Sequence, residues 1–86
     1  MAKQMIVSVF DTAVQAHGRP LFVPTKGAAM RSFTDEVNRQ AEDNPMWAHP
    51  EDYELYLLGW FDDSSGIVGG NLHGPELVAR AKDVKI

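Results

Sequence analysis

Tyr53-Glu54-Leu55-Tyr56-Leu57-Leu58-Gly59-Trp60-Phe61-Asp62 is the stretch on which the fold turns. It is rich in aromatic and branched residues and contains no proline, so it predicts a strand. The two-residue period of a strand places Tyr53, Leu55, Leu57, Gly59 and Phe61 on one face. Glu54, Tyr56, Leu58, Trp60 and Asp62 fall on the other. Both faces carry large apolar side chains, and this is the clearest strand in the chain. Asp63-Ser64-Ser65-Gly66 is a turn cluster and Ile67-Val68 begins a hairpin return, interrupted by Gly69-Gly70-Asn71.

Upstream, Met46 to Asp52 reads as a loop, in which Pro50-Glu51-Asp52 suits a tight turn with acids capping backbone N–H groups. Asn44-Pro45 stops a preceding helix, because the residue before proline is pushed out of the helical region. That helix is predicted to start after Thr25, whose hydroxyl can accept from the first-turn N–H groups, and to reach about Ala41. Met30, Phe33, Val37 and Ala41 form its apolar stripe. Lys26, Arg31 and Arg39 point outward or sideways, with Asp35 and Arg39 paired at i, i+4. Met5-Ile6-Val7-Ser8-Val9-Phe10 reads as a buried strand. Ala13 to Gly18 is a connection. Pro20-Leu21-Phe22-Val23-Pro24 suits a short edge strand, since its prolines cannot donate to a ladder. Residues 76–85 fit either a short helix or a strand.

The expected fold is therefore one α+β domain over residues 1–86: an antiparallel sheet of about four strands, β-β-α-β-β, with one main helix on one face and an ambiguous C-terminal element. The 86 residues contain no cysteine, which removes disulfides, thiol catalysis and thiolate zinc sites. A core this small is commonly supported by a partner subunit, so a homo-oligomer, dimer or larger, is expected. No apolar run is long enough to span a membrane, and Met1-Ala2-Lys3-Gln4 leads into a strand rather than a signal sequence. A cytoplasmic protein is expected.

The formal net charge is −4. It is unevenly spread: residues 1–41 balance at +2, 42–63 at −7 with no Lys or Arg, and 64–86 at +1. No catalytic or metal-binding pattern emerges. His17, His49 and His73 show no ligand spacing. Ser64-Ser65 has no neighbouring base, and Gly66, Gly69, Gly70 and Gly74 match no phosphate loop. No enzyme, metal or cofactor is expected. If the helix covers Leu55, Leu57 and Phe61, then Tyr56, Leu58 and Trp60 face away from it, joined by Phe10 or Phe22. An uncovered aromatic face serves either as a subunit interface or as a platform on which bases stack.

Several segments, in their order and spacing, carry a resemblance. They are the strand ending in Phe10-Asp11, then Gly18-Arg19-Pro20-Leu21-Phe22, then Arg31-Ser32-Phe33 and Asn38. His49-Pro50-Glu51-Asp52-Tyr53 and Gly59-Trp60-Phe61-Asp62-Asp63 with Gly66 follow. Over roughly residues 5 to 68 the chain resembles the small nonstructural DNA-binding proteins of gokushoviruses, single-stranded-DNA phages of the Microviridae. The resemblance implies a non-enzymatic protein of the infected cell, absent from the mature virion. Such a protein binds single-stranded DNA and assists the switch to single-stranded genome synthesis and packaging. On that reading Arg19, Lys26, Arg31 and Arg39 meet phosphates, and Tyr56 and Trp60 stack bases. The rival is a protein-interaction module that uses the same face, or the acidic 42–63 segment, to bind a host replication factor or a capsid precursor.

Overall fold

The computed structural model describes residues 3–86. Its centre is an antiparallel pair, β1 (Lys3–Asp11) and β4 (Tyr53–Asp62). The outer edges of this pair are filled piecewise. β2 (Ala16–His17) and β3 (Leu21–Val23) follow one another along β1, while β5 (Ile67–Gly70) and β6 (Glu76–Arg80) do the same along β4. The six strands pair only antiparallel, across the path β2-β1-β4-β5.

The α+β class holds, and two strands are added to those expected. β2 is too short to show a periodicity; it exists because the chain turns back after Asp11 and pairs Phe10 with His17. β6 is the first half of the ambiguous C-terminal stretch, and α3 (Ala81–Val84) is the second half. Both readings of that stretch are realised in succession.

One face of the sheet is covered by α1 (Lys26–Val37). Thr25 caps it as expected, its hydroxyl accepting from the Ala28 N–H at 3.0 Å. The buried stripe is Ala29, Phe33 and Val37, packed with Val7, Leu55, Leu57 and Ala81. Met30, expected in that stripe, is 38% exposed, and the smaller Ala29 one turn before Phe33 takes its place. The helix also ends at Val37 rather than near Ala41. Asn38 closes it, with its amide donating to the carbonyls of Thr34 and Val84, each at 2.9 Å. Because the helix has ended, Arg39 does not keep i, i+4 spacing with Asp35. It pairs instead with Glu36 at 2.7 Å.

The segment read as a loop contains α2 (Pro45–Ala48) and a 3-10 turn at Pro50–Asp52. Asn44 is 1% exposed and organises this region. Its amide donates to the carbonyls of Glu36 and Arg39, and its side-chain oxygen accepts from the Met46 N–H. In the 3-10 turn the Asp52 carbonyl, rather than its carboxylate, accepts a backbone N–H, from Thr12 at 2.8 Å.

Both long strands of the sheet pair through irregularities. Ile6 pairs with Gly59 but Val7 pairs with Leu57, so Leu58 is an extra residue in β4. Tyr56 pairs with Leu77 but Leu55 pairs with Ala79, which leaves Val78 unmatched in β6. The first bulge decides which aromatic side chains share a face.

Candidate functional site

Residues paired across an antiparallel ladder share a face. The helix side therefore carries Met5, Val7, Val9, Leu21, Val23, Leu55 and Leu57, and the opposite side carries Ile6, Ser8 and Phe10 from β1. His17 pairs with Phe10, Phe22 with Ile6, and Tyr56 with Ser8, so these join the helix-free side.

Beyond Leu58 the alternation shifts by one residue. A shift of one sends every following side chain to the other face. Phe61 pairs with Gln4 and lies on the helix-free side, while Trp60 pairs with Met5 and lies on the helix side. The expectation that Phe61 lies under the helix and Trp60 faces away is thus reversed. Trp60 is also taken up locally. Its ring lies across Gly69, where an added Cβ would fall 2.3 Å from the ring carbons, and the Lys3 ammonium sits 4.6 Å above its centroid.

The helix-free face holds two aromatic groups. In one, Phe10 and His17 rings are 4.7 Å apart, with Tyr56 edge-on at 6.0 Å from Phe10 and 5.4 Å from His17. In the other, Phe22 and Phe61 meet edge to face at 5.4 Å. Edge-on geometry at these separations is favourable for aromatic rings. Beneath them Ile6 is 8% exposed and Ser8 fully buried. Phe22 remains 53% exposed and Val68, paired with Phe61, 63%.

Ser8, Glu54, Tyr56 and Arg80 of this face are paired. The Ser8 hydroxyl lies 2.6 Å from His17 Nδ1. The two atoms share a hydrogen bond that ties the buried hydroxyl to the exposed ring. The Tyr56 hydroxyl donates to Glu54 at 3.1 Å, and Arg80 Nε lies 3.4 Å from the same carboxylate. Burial first, and then the bond to Glu54, push the Tyr56 phenol above its usual range. Glu54 is the carboxylate that the register places on this face. Asp11, Asp62 and Glu76 pair with helix-side positions, and Glu76 is bridged to Lys26 at 3.2 Å.

The six residues anticipated as a DNA site do not form one surface. Tyr56 is on the aromatic face, and Arg19 is exposed in the connection between β2 and β3, at its edge. Lys26 and Arg31 belong to α1 and Arg39 follows it, so all three lie in the layer across the sheet. Lys26 and Arg39 are held by Glu76 and Glu36. Trp60 is on the helix side. Phe61 and His17 are the residues this reading missed. The sheet period pointed to Phe61 but with the wrong parity, and the pairing of β2 that brings His17 into the face has no sequence signature.

Two other features lie off this face. The 3-10 turn gathers ligand atoms of His49, Glu51 and Asp52 within 4.8 Å, and the His49 Nδ1 to Glu51 carboxylate distance is 3.9 Å. His49 and Glu51 are exposed, and a solvated turn of this kind does not by itself make a metal site. An apolar cleft of about 310 Å³ opens between α1 and the β1–β3 edge, lined by Val9, Leu21, Val23, Phe33 and Met46. Among the described residues no helix is long and apolar enough to cross a membrane.

The sequence model of the family described as Phage ORF5 protein matches residues 4–84. The chain belongs to the phage ORF5 protein family. It is similar to Protein ORF5 of Chlamydia phage 1, with 31% identity over 61 residues. That match covers 69% of this chain and 64% of the length of Protein ORF5. Chlamydia phage 1 is a gokushovirus, so the relationship agrees with the resemblance carried by the sequence segments. No solved structure matches the chain.

Proposed function

We propose that this ORF5-type protein is a non-enzymatic, nonstructural phage protein that binds single-stranded DNA through the helix-free face of its sheet. On this reading it acts in the host cytoplasm, outside the mature virion, and assists the switch to single-stranded genome synthesis and packaging. The observation that carries the reading is the pair of half-exposed aromatic groups on a face whose one carboxylate, Glu54, is bridged to Arg80. Net charge is a poor guide here, because Asp35 and Glu36 lie on α1 and Asp11, Asp62 and Glu76 pair with helix-side positions. Stacking on aromatic rings stabilises an unpaired base by about 1–3 kcal/mol and tolerates any base. Tyr56, His17, Phe22 and Phe61 supply the rings, and Arg19 at the edge supplies a phosphate contact. Association into a dimer or larger homo-oligomer would extend the platform along the strand.

The test is fluorescence anisotropy with labelled oligothymidine and a matched duplex. Single strands should bind more tightly than duplex, with a shallow salt dependence because few cations face the DNA. Phe22→Ala and Phe61→Ala should each weaken binding about tenfold or more. Arg19→Glu should weaken it, and Arg31→Glu should leave it nearly unchanged. Equal or absent binding to both DNAs at low salt rejects the proposal. A protein-interaction module is the second reading, favoured by the apolar cleft beside α1, which suits an apolar side chain of a host replication factor or capsid precursor. It predicts that Leu21→Asp, at the mouth of the cleft, abolishes partner binding and spares DNA binding.

A further inference from the structure

His17 is the imidazole of the aromatic face. It stands in the two-residue strand β2 and is exposed. Its ring lies 4.7 Å from that of Phe10 and 5.4 Å from that of Tyr56. Its Nδ1 is held 2.6 Å from the hydroxyl of Ser8, which is fully buried. A buried hydroxyl costs stability unless it is hydrogen-bonded, and an alanine in this place would make no such demand. The serine therefore serves the ring. It turns the Nδ1 edge down to the floor of the sheet and leaves the Nε2 edge outward. Among the described residues the ring makes no other hydrogen bond.

The charged groups of every element around the ring are accounted for. On β4, Glu54 accepts from the Tyr56 hydroxyl and is bridged by Arg80 of β6. Burial holds the Tyr56 phenol in its neutral form. At the end of β1, Asp11 pairs with Ala16 on the helix side, and its carboxylate accepts from the Ala13 N–H at 2.9 Å. Tyr53 pairs with Asp11 at that end, with Asp52 beside it. Arg19 is exposed at the edge of the face, two residues along the chain. Among the described residues no unbridged carboxylate shares the face with the ring. A hydroxyl can donate to a ring nitrogen or accept from it, so the Ser8 bond holds the ring's orientation in either charge state.

We propose that His17, when protonated, is a phosphate contact of this face, so that a proton tightens the binding of single-stranded DNA. The inference rests on the DNA-binding reading and adds to it a named cation and a pH dependence. A neutral ring here offers only a stacking surface. The imidazolium adds an outward N–H and a positive charge among the rings on which bases stack, where the phosphates of the same strand run. Charge-assisted hydrogen bonds of this kind are about twice as strong as neutral ones. A bound phosphate strengthens the ring's hold on its proton. The gain in affinity is therefore fully present below the pH at which the free ring titrates, and is lost as the pH rises through the range of the bound ring.

The experiment measures anisotropy with labelled oligothymidine, whose base does not titrate in this range, at about pH 8 and about pH 5.5 and at several salt concentrations. Affinity should rise about fivefold or more at the lower pH. The salt slope should steepen by about 0.7, the value of one phosphate contact on a single strand. The double variant Ser8→Ala/His17→Phe keeps a ring and removes the buried hydroxyl together with its partner, and it should show neither change. A variant with His49→Gln and His73→Gln should keep both, since neither residue belongs to the aromatic groups. Proton NMR of the wild-type chain gives a reading that needs no variant: the His17 titration should move to higher pH when oligothymidine is bound. Equal affinity at the two pH values, a gain that survives in Ser8→Ala/His17→Phe, or a His17 titration unmoved by DNA each overturns the inference and leaves the DNA-binding reading standing. If the double variant does not fold, the NMR titration decides alone. A wild-type chain that fails to bind single strands at either pH overturns both.

Discussion

The two faces of the β1–β4 pair are built from alternate residues of the same strands, yet they differ in kind. The helix side is aliphatic around one buried ring, with Val7, Val37, Leu55 and Leu57 closing on Phe33. The other side is aromatic and half open, with Phe10, His17, Tyr56, Phe22 and Phe61 standing over the small floor of Ile6 and Ser8. Aliphatic side chains interdigitate at high density and exclude water without directional demands. Flat rings at a surface keep an edge or a face available to another ring. The first face carries stability, and the second remains available to a ligand.

The sharpest way to break this contrast is to truncate one ring on each side. Phe33 is 4% exposed, and removing it should cost about 3–5 kcal/mol through lost burial and a residual cavity. Phe22 is half exposed, so Phe22→Ala should cost no more than about 1 kcal/mol. Chemical denaturation of the two variants checks the pair. Similar losses would mean that the aromatic face is as structural as the helix side. In the DNA assay the ranking should invert, with Phe22→Ala folded but weakened in binding.

A smaller effect is expected inside the aromatic face. Ser8 is fully buried, and its hydroxyl has His17 Nδ1 as its partner at 2.6 Å. Ser8→Ala removes that bond with little change of volume, and should cost about 1 kcal/mol. It also leaves His17 Nδ1 without this partner. The nitrogen-15 shift of His17 Nδ1 should therefore move, because that nitrogen loses its partner. Unchanged shifts would show that Ser8 does not set the ring's state.

How much of this was legible beforehand varies with the range of the interaction involved. Thr25 and the Phe33–Val37 spacing are local signals, and both held, because a capping hydroxyl and a helical period are decided within one or two turns. The larger apolar Met30 fits the helical period as well as Ala29 does, but the helix buries the smaller Ala29 against the sheet. The Leu58 bulge was illegible. It depends on how β4 registers against β1, some fifty residues away in sequence, and nothing in Leu57-Leu58-Gly59 marks which residue is extra. That one unmatched residue moved Phe61 into the candidate site and took Trp60 out of it. The basic residues of α1 were recognised as exposed, but a helix layer that lies across the sheet from the aromatic groups cannot be read from charge alone.

The smallest expected effect lies in the alkaline titration of the two tyrosines, one on each face. Tyr53 pairs with Asp11 on the helix side, and Tyr56 bonds to Glu54 on the other. Burial is the leading cause for both in holding the phenol above its ordinary value near 10. The neighbouring carboxylates act in the same direction, since a phenolate beside an anion is disfavoured. A folded-state pKa above the unfolded one means that the native chain holds its proton more tightly. The corresponding stability is fully present below about pH 10 and is lost as the pH rises through the raised folded values. Tyrosinate absorbance should therefore develop later in the native protein than in the denatured chain. The cause differs by face in a testable way. Glu54→Gln removes the anion from Tyr56 alone, so it should bring one phenol back part of the way and leave Tyr53 where it was. If both phenols moved together, the two faces would be coupled through the sheet. Ordinary titration of both in the wild-type chain would show that neither ring is held as the packing indicates.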